Sequence, residues 1–177
     1  MPESEITRIV DELEREHAGD AWHGTPLRQL LADVDETQAA WRPYEGVQTI
    51  WELVLHVTAW KNEVRRRLGG APAGLPREGD WPAAPPAGPL AWRQAVDTLE
   101  DAHQALVAAV LRLAPASLHA PTNDPRDRET GRGVSYYVML HGIAQHDVYH
   151  SGQIALLKKA FAAEQVQAAQ SAALADQ

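Results

Sequence analysis

Apolar residues recur along most of this chain at helical spacing, three or four apart, with no convincing strand-like alternation. Ile6, Ile9, Val10 and Leu13 share one face of a helix predicted over residues 3–16. A break at 17–24 follows, and Thr25–Pro26 reads as an N-cap with proline in the first turn, leading into Leu27, Leu30, Leu31 and Val34. Pro43 and Gly46 close that segment. A longer helix is predicted over 49–68, where Thr49 and Glu52 have capping-box spacing and Gly69–Gly70 supplies the stop. Pro72, Pro76, Pro82, Pro85, Pro86 and Pro89 are too closely spaced for any helix, so residues 71–89 form a crossover. Trp81 predicts that this crossover packs on the rest of the fold.

Val96, Leu99, Leu106, Val110 and Leu113 place a third main helix over 90–113, and residues 115–133 read as a polar loop. A fourth runs over 135–161, and from Ala162 the chain is rich in alanine and glutamine, as a helical extension or a frayed end. The expected architecture is therefore all-α, a four-helix bundle with crossovers, with residues 1–161 as one domain and 162–177 as a tail.

Composition narrows the chemistry. The 177 residues are 45% hydrophobic and 23% charged, near the globular average, which argues against wholesale disorder. A formal charge of −8 offers no basic field for nucleic acid. The cluster Arg65, Arg66 and Arg67 falls at a helix C-terminus, where it complements the dipole. There is no cysteine, so thiolate catalysis and thiolate metal sites are excluded and any metal ligands must be His, Asp or Glu. No signal-peptide pattern and no membrane-length apolar run is seen, so a soluble, cytoplasmic protein is expected.

The fourth helix carries the chemistry. Met139, Ile143, His146, His150, Ile154, Leu157 and Phe161 form one core-facing stripe, and its two histidines stand at i and i+4. That spacing lets two imidazoles converge on one ion, although a hydrogen-bonded histidine pair has the same spacing. Asp147 occupies the place where a zinc protease has glutamate, which weighs against a metallopeptidase. His56 borders the buried stripe of the 49–68 helix, either as a packed histidine or as a third ligand that leaves an open coordination position. His141 lies about 140 degrees around the helix from His146 and should not join them. His23 could line the pocket or end a helix. Tyr149 should point into a helix contact, Asp147 or Glu52 could orient an imidazole, and Trp60 should wall the pocket.

The string Glu52-Leu53-Val54-Leu55-His56-Val57-Thr58-Ala59-Trp60, followed by His146-Asp147-Val148-Tyr149-His150-Ser151-Gly152-Gln153-Ile154, resembles the DinB-like superfamily. Trp22-His23-Gly24 adds to the likeness, which spans about residues 20 to 161. Its members are similar to damage-inducible DinB proteins and YfiT-type metal-dependent hydrolases. The resemblance implies up-down-down-up connectivity, His56, His146 and His150 as ligands of one divalent transition metal (nickel or zinc), and a homodimer. It also implies a hydrolase or a thiol-dependent transferase acting on a small molecule, with a low-molecular-weight thiol as cosubstrate in the second case. The alternatives are a non-catalytic stress-response or interaction protein stapled by the metal, and a bundle with no metal.

Overall fold

In the computed structural model, residues 4–122 and 134–175 are described, and among them the chain is helical with no β-strand. Helix α1, Glu5–His17, begins where the Ser4 hydroxyl accepts from the Thr7 amide, and it buries Ile6, Ile9 and Leu13. The leucine-rich segment expected next divides into two short helices, α2 (Leu27–Leu31) and α3 (Glu36–Ala40). Pro26, not Thr25, holds the N-cap position of α2, and no side chain caps it. Asp35 restarts the helix by accepting from the Gln38 amide at 2.8 Å.

Helix α4, Ile50–Leu68, has the expected capping box: Glu52 N donates to the Thr49 hydroxyl, and Thr49 N to the Glu52 carboxylate. The helix stops at Gly69, and Gly70 takes φ 85°, a left-handed conformation that favours glycine. The proline-rich stretch that follows contains no helix. It is fastened to α4, since Arg66 donates to the Pro72 carbonyl and Arg67 to that of Gly74, both at 2.6 Å. Of the arginine cluster, Arg66 and Arg67 also both pair with Glu63.

Helix α5, Pro89–Leu111, has proline in its first turn, followed by a 3₁₀ turn at Pro115–His119. The polar loop expected over 115–133 falls partly outside the described residues. Helix α6, Tyr136–Ala175, is 40 residues long, about 60 Å. It runs past Phe161, so the alanine-rich tail continues the helix, and residues 162–175 are exposed.

Helix α4 packs on α5 and α6, and α1 packs on the same two. Trp51 meets Trp92 and Lys61 meets His103, so α4 and α5 run in the same direction. His56 meets His150 while the Tyr136 hydroxyl reaches the Arg67 carbonyl, so α4 and α6 run oppositely. Two apolar clusters result. One gathers α2, α3, the first half of α4, Trp92, Leu99, Ile154 and Leu157. The other gathers α1, Val64, Leu106, Val110, Leu140 and Ile143. Buried polar groups from α1, α4, α5 and α6 form a further layer: His56, Lys61, His103, Asp147, His150, Glu16 and His17. A polar layer in this position is costly unless every member has a partner.

Candidate metal centre

His56 comes from the middle of α4, and His146 and His150 come from successive turns of α6, two helices in direct contact. Their Nε2 atoms converge: His146 Nε2 is 3.0 Å from that of His56 and 3.2 Å from that of His150. Nitrogens each roughly 2.0–2.1 Å from one ion, at angles of about 90–110°, would lie roughly 2.9–3.4 Å apart. The observed separations fall in that range.

The opposite edge of each ring faces oxygen. His56 Nδ1 is 2.5 Å from the Asp80 carbonyl, and His150 Nδ1 is 2.6 Å from the Gln153 side-chain oxygen. His146 Nδ1 lies 3.5 Å from Asp147 Oδ1. Protons on Nδ1 leave three Nε2 lone pairs directed at one another, an arrangement that a cation resolves. His56 and His150 are buried, and burial lowers both pKa values, that of His150 to about 4. Neutral rings of this kind are the form that binds metal. The donor set therefore fits a divalent transition ion.

The walls come from α4, α6 and the crossover. Trp81 stacks face to face on His56, and Asp80 accepts from the Trp60 indole at 2.8 Å. A cleft of about 550 Å³ opens beside the histidines, lined by His56, Trp60, Arg67, Met139, Ile143 and His146. Trp60 and Trp81 thus take the places the sequence suggested. Arg67 sits 5.7 Å over the Trp60 ring and is held by Glu63.

The family profile described as the DinB superfamily matches residues 21–154, well over half of the chain. The chain belongs to the DinB superfamily. A search of curated proteins and a search of solved structures each found no match. The clustered His56, His146 and His150 of this DinB-superfamily chain lie inside the matched stretch.

The other candidates are elsewhere. His141 faces α1, 2.6 Å from Glu12. His23 is exposed, beside Val148 on α6, away from the three-histidine cluster. Glu52 is committed to its cap and to Arg42, so it orients no imidazole. Tyr149 makes no buried helix contact: its side of α6 faces solvent, it is 65% exposed, and its ring makes a T-shaped contact with His150.

Sequence reasoning missed the charged layer behind the histidines. Lys61 is fully buried and donates three ways: to Asp147 Oδ2, to Glu16 Oε1 at 3.3 Å and to His103 Nδ1 at 3.3 Å. His17 stacks on His103, with centroids 3.8 Å apart, and its Nε2 lies 3.0 Å from Glu100. Burial opposes charge on Lys61, but Asp147 and Glu16 outweigh it and hold the ammonium above its usual pKa. Burial would raise Asp147, yet Lys61 keeps it well below the carboxylate range. Glu16 is pushed up to about 9 by burial and by Asp147, so one lysine neutralises one carboxylate and the second acid stays protonated. The signal was present in α4, where Val54, Val57, Lys61 and Val64 share one face and a lysine interrupts an apolar stripe.

Glu16, His17 and His103 also have ligand-type atoms within 4.8 Å of one another. Stacked parallel rings direct their lone pairs along parallel planes, so one ion cannot lie in both. The Lys61 ammonium already supplies the cation there.

Proposed function

We propose that this DinB-superfamily protein is a metal-dependent enzyme of hydrolase or thiol-transferase type, holding one divalent transition ion, nickel or zinc, on His56, His146 and His150. The observation that carries the reading is the convergence of three Nε2 atoms at 3.0 and 3.2 Å, with an oxygen near each Nδ1. An ion held by three imidazoles keeps an open position, where it polarises a substrate or lowers the pKa of a water or thiol.

The chain's own residues define the rest. The Asp80 carbonyl and the Gln153 side chain hold two of the rings in register. Trp60, Met139 and Ile143 give the cleft an apolar wall, suited to a small organic substrate and to excluding water. With no cysteine in the chain, any thiol must arrive as a cosubstrate. A homodimer is part of the same proposal. The cleft beside the histidines favours an enzyme over a purely structural metal staple between α4 and α6.

The deciding experiment is elemental analysis of untagged wild type beside His56→Ala after incubation with zinc or nickel. About one equivalent in the wild type, lost in the variant, supports the reading. No metal in either protein overturns it.

A further inference from the structure

Two of the three histidines have firm acceptors for Nδ1, but His146 does not. Its Nδ1 is buried without a hydrogen bond, and so is Asp147 Oδ1, 3.5 Å away. At that separation each is a candidate partner for the other. Asp147 is fully buried, and its second oxygen is taken by Lys61, which is fully buried too. Lys61 is in turn fixed by Glu16 on α1 and His103 on α5. One carboxylate is thereby braced from three helices and presents its free oxygen to a ring whose Nε2 faces the other two histidines.

We propose that Asp147, braced by Lys61, is a positioning residue for His146 and sets the ring's orientation and tautomer for metal binding. The inference rests on the three-histidine reading above. A carboxylate that orients a ligating imidazole commonly contributes 10–100-fold in metal affinity. An ion pair present only to fill the core would contribute nothing of that kind, because an apolar pair of similar volume is often as stable.

The test uses the full chain, with zinc affinity measured by competition against a chromophoric chelator. Two variants are compared with wild type: Asp147→Leu, in which Glu16 can ionise and neutralise Lys61, and Lys61→Met/Asp147→Leu, which removes the charges together. Circular dichroism and melting in chelator establish that each folds. We expect both to bind zinc roughly 10–100-fold more weakly than wild type, and equally weakly. Ring ¹⁵N NMR of metal-free protein provides a readout that core filling would not move: His146 is expected as the Nδ1–H tautomer in wild type and as a mixture in both variants. Wild-type affinity in a folded double variant would overturn the inference while leaving the metal site intact. A double variant much weaker than Asp147→Leu would overturn the route through Asp147. If Asp147→Leu does not fold, the double variant against wild type still decides the matter. Absence of zinc binding in wild type is the separate failure of the metal reading.

Discussion

The Trp81 ring lies flat against the His56 imidazole, with 3.9 Å between centroids and 10° between planes. The same turn of chain supplies the Asp80 carbonyl to the other edge of that imidazole. A strap that proline keeps out of helix is thus used to hold a residue of a helix, and the contact makes an optical reporter. Addition of paramagnetic nickel or copper should quench tryptophan fluorescence, and Trp81→Phe should reduce that quenching while keeping the stacked ring, with Trp60 supplying the remainder. Unchanged quenching in the variant would place the ion away from the Trp81 ring.

Acid should loosen the layer behind the histidines. Burial, and next the Lys61 ammonium, lower the pKa of His17 and of His103, the latter to about 3. Both rings are less basic folded than unfolded, so the unfolded chain takes up protons first as pH falls. Their contribution to stability is complete above about pH 6.5 and is lost as pH falls, for His103 toward about pH 3. Glu16, raised to about 9, works in the opposite sense, contributing fully below about pH 4.5 and losing that contribution as pH rises through 9. The difference between proteins is therefore the quantity to read. His103→Phe should gain stability relative to wild type between pH 7 and pH 4.5 in urea titrations. A difference independent of pH would mean that His103 is not held neutral.

The start of α4 is a separable contribution. Thr49→Ala removes the hydroxyl that accepts from Glu52 N. A loss of about 1 kcal/mol is expected, lowering the melting temperature by about 2–4 °C. Zinc stoichiometry should not change, since Thr49 lies nearly two turns before His56.

Beyond Phe161 the last helix contributes little to either apolar cluster: residues 162–175 are all exposed. Ending the chain after Phe161 should shift the melting temperature by no more than about 2 °C and leave metal content unchanged. A larger loss would show that the domain extends past residue 161.

Much of this protein is local in origin and was legible for that reason. The pairing of His146 with His150 follows from the helical period alone, and so does the exclusion of His141 from their face. The Thr49–Glu52 cap and the helix-free proline stretch depend on neighbours within a few residues and were found as expected. Val54, Val57 and Val64 share a face with Lys61, a signal that went unread, and periodicity in any case says only that a face is covered, not what covers it. The partners of Lys61 come from residues 42 to 86 positions away on three other helices. Likewise, the approach of His56 to His146 and the seating of Trp81 on His56 depend on how α4, α6 and the crossover come together. Chain sequence determined which side chains each helix would turn inward; tertiary packing decided which of them meet, because buried polar groups must find their partners across the core.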